Sequence, residues 1–212
     1  MNIILTQCIM LLYIFISCKQ RIKMCYPRIQ KMMNELKSDN YIIVTGGNHE
    51  HTYSRDKHLL ELDCNDYYEG LPEKAIKTYK FICESKVFNS FTHFCKLDDD
   101  MVIKKTFEIS MLTDYCGKLH RSNPGNRKWH IGKCTKGSKF NTAAYTGAYV
   151  PWCLGGCGYI VSMNSLRILS NDENYFNEIY EDLYVAKILY EKQINPTNIP
   201  NLALYIFSKD HS

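Results

Sequence analysis

The sequence predicts an α/β fold with a mostly parallel central sheet flanked by helices. Three features carry that expectation. Short runs of β-branched and aromatic residues are apolar throughout rather than alternating, amphipathic helical segments separate them, and glycines or acidic residues stand where they end. Strand, helix and strand in succession make a βαβ unit, and helices on both sheet faces explain why the strands are apolar on both sides.

The first run is "IILTQCIMLLYIFISC", about 16 residues from Ile3. A bilayer-spanning helix needs roughly 20. Gln7 interrupts the run, Lys19, Arg21 and Lys23 follow it, and no small-residue cleavage site appears. Residues 3–17 read either as a membrane anchor or as a first core strand near Tyr13 to Ser17. The aromatic and β-branched content favours the strand, with residues 1–12 left as an anchor remnant or lead-in.

A helix is expected just after Pro27, where Ile29, Met32, Met33 and Leu36 recur at helical spacing. "YIIVTGG" reads as the second strand and "LLELDC" as the third. "GLPEKAIKTYKFICES" is a helix with Pro72 in its first turn and Ala75, Ile76, Tyr79 and Ile82 facing the core. "FTHFCKLDD" is the fourth strand, with an acidic cluster at its C-terminal end. From Gly117 to Asn141 the chain is polar, with a turn at Asn123, Pro124 and Gly125. "RKWHIGKC" inside it is expected to cross the sheet as a strand. "CLGGCGYIVS" is a glycine-rich turn into another strand, and "EDLYVAKILYEK" is a helix stopped by "INPTNIP". One domain over residues 1–212 accounts for all of this.

A net charge of +4, with basic residues dispersed along the chain, gives no nucleic-acid footprint. The 10 cysteines form no CxxC pair and no zinc-finger spacing, so most are expected to be free thiols in apolar surroundings. They leave the compartment undecided between a Golgi- or ER-type lumen and the cytoplasm.

The chemistry lies in "FCKLDDDMVI". Open α/β sheets bind ligands beyond the carboxyl ends of their strands. Side chains alternate on an extended backbone, so Asp98 and Asp100 are expected on one side and Asp99 on the other. Two such carboxylates make a half-site for a hard divalent cation, Mn²⁺ or Mg²⁺, with water or phosphate oxygens filling the rest. The plainer alternative is a solvated acidic turn. The apolar flanks speak against it, because buried, unpaired carboxylates are costly.

The same residues resemble the metal motif of inverting β-1,3-glycosyltransferases, the group of β-1,3-galactosyltransferases, β-1,3-N-acetylglucosaminyltransferases and Fringe. Three further stretches resemble that family in its order. They are "DYYEGLPEKAIKT" with Asp66, Tyr68, Leu71 and Lys74, "VPWCLGGCGYIVS" with Pro151, Gly156, Gly158, Tyr159 and Ser162, and "YEDLYVAKIL". The resemblance spans about Asp63 to Leu189. It implies a GT-A-type fold, a divalent cation, a UDP-sugar donor and a glycan or glycoprotein acceptor.

It also implies roles. Asp182 becomes the general base, and Asp98, Asp100 and His211 the metal ligands. Lys74 and Asp99 fall on the donor side, and Trp152, Gly155, Gly156 and Glu181 on the acceptor or sugar side. Apart from the resemblance, Lys19 and Arg21 stand just after the first strand, where they are expected to meet the nucleotide. The plainer alternatives are helix capping for Asp182, a solvated helix lysine for Lys74, a tight turn for the glycines and a core aromatic for Trp152. The sequence departs from the family after the first strand, where "KQRIKMCYPRIQKMM" replaces an arginine- and tryptophan-bearing segment, and it looks like a minimal form without a clear stem. Membrane association is expected only through the N-terminal run. A catalytically silent sugar-binding module and a metal-dependent phosphoryl- or nucleotidyl-transfer protein are the alternatives in function.

Overall fold

The structure, a computed structural model, describes residues 10–107, 112–121 and 126–208. In chain order the elements are β1 (Leu11–Ile16), α1 (Ile22–Glu35), β2 (Tyr41–Thr45), β3 (Thr52–Ser54), β4 (Leu59–Glu61), α2 (Leu71–Glu84), β5 (His93–Asp98) and β6 (Met101–Ile103). Then come β7 (Tyr115–Gly117), β8 (Leu119–His120), β9 (Trp152–Cys153), β10 (Tyr159–Ser162), α3 (Met163–Ser170), α4 (Glu181–Glu191), β11 (Thr197–Asn198) and β12 (Ile206–Ser208).

Eight strands form one mixed, mostly parallel sheet in the order β11-β7-β10-β5-β1-β2-β4-β3. Its centre, β5-β1-β2-β4, is parallel, while β10 runs antiparallel to β5 and β3 antiparallel to β4. Period-two alternation assigns each side chain to a face. Leu12, Ile14 and Ile16 pack with α2, α3 and α4, whereas Tyr13 and Phe15 pack with α1 and the β6–β12 ribbon. Burial on both faces makes the central strands apolar throughout.

Helix α1 begins five residues earlier than its proline suggests, at Ile22 rather than after Pro27. Pro27 removes the bond to the Lys23 carbonyl, but Lys23 and Pro27 are both exposed, so water can serve that oxygen. An interior proline costs about 3 kcal/mol. Burying Cys25, Ile29, Met32 and Met33 outweighs it, at roughly 1.5–3 kcal/mol for each large side chain.

The expected strand in "RKWHIGKC" is instead a series of turns. Gly132 adopts φ +84°, outside the extended region, and His130 turns inward while Trp129 turns out. The turn expected at residues 123–125 lies outside the described residues, as do residues 1–9 of the apolar run. Tyr13 to Ile16 are strand, as expected. Among the described residues no helix is long and apolar enough to cross a membrane. The nine described cysteines are free thiols.

Candidate active site

The chain leaves β1 through α1 to β2 on one side, then returns after β4 through α2 to β5 on the other side of β1. Neighbouring loops therefore diverge beyond β1 and β5, and a crevice at such a reversal is where open α/β sheets take ligands. The acidic cluster sits there. Asp98 ends β5, and Asp99 and Asp100 form the tight turn into β6.

Facing decides what each carboxylate does. Asp99 lies on the α1 side, buried, and accepts from Ser17 Oγ at 2.7 Å while pairing with Arg21 Nη2 at 2.7 Å. Both of its oxygens are thus engaged inside the protein, which corrects its expected place on the donor side. Asp98 remains 43% exposed. The Asp100 carboxyl is pushed up by burial and by the charges of Asp98 and Asp99, and Arg28 Nη1 donates to its backbone carbonyl at 3.1 Å.

Lys96 lies on the opposite face, two residues before Asp98. Its buried ammonium is 2.7 Å from Asp98 Oδ1 and 2.9 Å from Glu181 Oε2. Burial works to lower the Lys96 pKa, yet these two carboxylates raise it well above the ordinary lysine value, so the cation is held. Glu181 also accepts from the Tyr159 hydroxyl, which meets the Tyr79 hydroxyl at 2.5 Å. Glu181, expected to face the acceptor, is instead buried on Lys96 and Tyr159.

Asp182 occupies the first turn of α4, after an N-cap Tyr180 that makes no side-chain cap bond. Its Oδ2 accepts from Gly155 N at 2.8 Å and its Oδ1 from Leu183 N at 2.8 Å. Burial pushes its carboxyl up, while those N–H groups and Lys96 pull it back. Gly155 has to be glycine: an added Cβ would stand 2.9 Å from Asp182 Cβ and 3.3 Å from its Oδ2. A Cβ on Gly156 would meet nothing within 4 Å.

Lys74, 1% exposed, donates to Ser17 O and to Asp66 Oδ1, each at 2.7 Å. Asp66 also accepts from Lys19 N at 2.7 Å and Gly46 N at 2.6 Å. Lys74 therefore braces the loops after β1, β2 and β4 from beneath instead of reaching a ligand. Lys19 is exposed, its ammonium 2.7 Å from Gly47 O and 2.9 Å from Asn48 Oδ1. Trp152 is buried and stacked 4.3 Å from His120, so its face is closed to a sugar. His211 lies outside the described residues.

Among the described residues no three His, Cys, Asp or Glu side chains are grouped to hold a metal ion. The donor chemistry still fits a hard cation in part. Asp98 and Asp100 offer carboxylate oxygens, and the Asp100 carboxyl is raised first by burial and then by the neighbouring charges of Asp98 and Asp99. Sequence reasoning missed Lys96 as the link between the two acidic groups. The available signal was a lysine set inside an otherwise apolar strand run.

No curated protein matches the sequence. A family model described as Galactosyltransferase matches residues 47–200, well over half of the chain and the span that holds the acidic turn, the glycine turn and the Glu181–Asp182 pair. The chain belongs to this family of glycosyltransferases, of the β-1,3-galactosyltransferase type that its motifs resemble.

Proposed function

We propose that the protein is a metal-dependent, inverting glycosyltransferase of GT-A type. It moves a hexose or N-acetylhexosamine from a UDP-sugar to a hydroxyl of a glycan or glycosylated protein. The observation that carries this reading is the buried cation of Lys96 binding both Asp98 and Glu181, which ties a strand-end carboxylate to the residue next to the base candidate Asp182.

Asp182 takes the acceptor's hydroxyl proton as the acceptor oxygen forms its bond to the anomeric carbon. The bond from that carbon to the diphosphate breaks, and its electron pair leaves with UDP. A carboxyl raised by burial suits a base better than an ordinary aspartate does. Gly155 N–H and Leu183 N–H fix its direction, and Lys96 places a positive charge nearby. Asp98 and Asp100 are the residues that would hold Mn²⁺ or Mg²⁺, which supplies Lewis-acid stabilisation of the departing diphosphate. Lys19 and Arg21 offer exposed positive charge at the end of β1 for the nucleotide.

Calorimetric titration of UDP into the purified protein, with and without Mn²⁺ and with Asp100→Ala, tests this. Binding that requires both the metal and Asp100 is expected, with UDP release from a matched sugar donor. Absence of UDP binding under every condition would overturn the donor assignment.

A further inference from the structure

We infer that Trp129 is a stacking platform for a hexopyranose ring of the acceptor, a role that rests on the transferase reading above. The chain has two tryptophans, and the one left in the open is Trp129, 60% exposed. A solitary exposed aromatic is ordinary on a protein surface. Three further observations set this one apart.

It is held from one side. Lys133 Nζ stands 3.5 Å from the Trp129 ring centroid and 5.5 Å from that of Tyr68, so one ammonium bridges the two rings. Secondly, Tyr68 lies within electrostatic range of Asp182 and Asp98. Burial raises its phenol above the ordinary tyrosine range, and the charge of Asp182 is the next cause, with Asp98 among the others.

Thirdly, the segment bearing Trp129 is pinned to both halves of the site. His130, buried, places Nδ1 2.8 Å from the Tyr180 hydroxyl and Nε2 3.1 Å from the Ala143 carbonyl, and Tyr180 immediately precedes Glu181 and Asp182. Thr135 donates to Glu69 through both its backbone N–H and its hydroxyl, and Glu69 follows Tyr68. Asn141 Nδ2 closes the loop on Thr135 O at 2.7 Å. An indole kept in water costs apolar surface, and the segment that carries it is anchored at His130, Thr135 and Asn141 while Lys133 meets the ring itself. Positioning a flat apolar partner near Asp182 is what this arrangement can do.

The C–H face of a pyranose is such a partner, and stacking orients the ring so that one hydroxyl is presented to the base. Trp152, the sequence-level candidate for this role, is closed off by His120 and Tyr149.

The test is tryptophan emission during titration with methyl β-glycosides of galactose, glucose, mannose, N-acetylglucosamine and N-acetylgalactosamine, in the native protein and in Trp129→Phe. At least one glycoside is expected to shift the emission of the native protein and leave Trp129→Phe, which reports from Trp152 alone, unchanged. Trp129→Ala is expected to raise the acceptor KM about tenfold, in line with one aromatic contact. The inference is overturned if no glycoside shifts the emission, or if the shift persists in Trp129→Phe. Mn²⁺-dependent UDP binding is measured alongside in the native protein. UDP binding with a silent Trp129 removes the platform alone, whereas an emission shift without UDP binding removes the transferase reading and leaves a saccharide site.

Discussion

Lys96 holds its buried ammonium 2.9 Å from Glu181 Oε2, and that contact ties the strand ending in the acidic cluster to the helix that carries Asp182. The pair is isolated from water, since both side chains are under 7% exposed. Breaking a buried pair by removing one partner costs about 3–5 kcal/mol, because the other charge is stranded. Lys96→Met is therefore expected to lower the free energy of unfolding by that amount, read as a fall in the denaturant midpoint. Adding Glu181→Gln should recover much of the loss, since the stranded charge is then gone. A double variant no more stable than Lys96→Met alone would show that the pair is not the source of the cost.

Asp182→Asn separates stability from activity. Burial raises the Asp182 carboxyl above its unfolded value, so the folded state pays to ionise it. The sign follows. The folded protein binds its proton more tightly, and stability from this group is lost as pH rises from the ordinary aspartate range through the raised value. A neutral Asn avoids that cost, but its single acceptor oxygen keeps only one of the bonds from Gly155 N and Leu183 N. The two effects oppose each other, so its melting temperature at neutral pH is expected to stay close to that of the native protein. Transfer should fall by roughly 10²–10⁴-fold, the usual share of a general base. In the native enzyme kcat/KM is expected to fall as pH drops through a pKa above the ordinary aspartate value. A limb at or below that ordinary value would remove Asp182 from the role.

Much of the sheet was legible because parallel strands covered on both faces announce themselves as unbroken apolar runs, as "YIFI" and "YIIV" do. The start of α1 was not, because Pro27 reads as a beginning and only tertiary packing of Cys25 and Ile29 carries the helix past it. The acidic turn and the Glu181–Asp182 pair were legible as chemistry, but not their linkage. Lys96 and Glu181 are far apart in sequence, and register alone puts Lys96 on the α4 face. The loop from Asn126 to Val150 was the least legible. It has no periodicity and is held by side chain to backbone bonds, such as Arg127 Nη1 to Tyr145 O at 3.1 Å and to Gly147 O at 2.9 Å.

Asp98 and Asp99 are adjacent yet face opposite sides, so the same substitution should do different things. Asp98→Asn is expected to abolish Mn²⁺-dependent UDP binding, with a modest fall in the unfolding midpoint because buried Lys96 keeps Glu181 but loses one of its two carboxylates. Asp99→Asn weakens the internal contacts with Ser17 Oγ and the half-exposed Arg21. A loss of about 1–2 kcal/mol in stability is expected there, as for a charge-assisted hydrogen bond. Calorimetry and chemical denaturation on both variants decide it. Equal loss of metal-dependent binding would place both carboxylates at the cation.

The glycine turn offers a controlled pair. At Gly155 an added methyl would sit 2.9 Å from Asp182 Cβ, closer than such atoms come, and would also crowd the carboxylate. Neither α4, anchored by buried Leu183 and Val185, nor the short turn before β10 can withdraw freely, so Asp182 is the group that moves. A misplacement near 1 Å costs about 10²-fold. Gly155→Ala is thus expected to reduce kcat by about that factor, with stability lowered as well. At Gly156 the same methyl meets nothing within 4 Å, and φ is not in the left-handed region. Gly156→Ala should leave the unfolding midpoint unchanged or slightly raised, since alanine restricts the unfolded chain more than glycine. Measuring both variants by thermal unfolding and UDP release separates displacement of Asp182 from a general intolerance of the turn. Equal damage from the two would mean that the turn, and not its contact with Asp182, is what requires glycine.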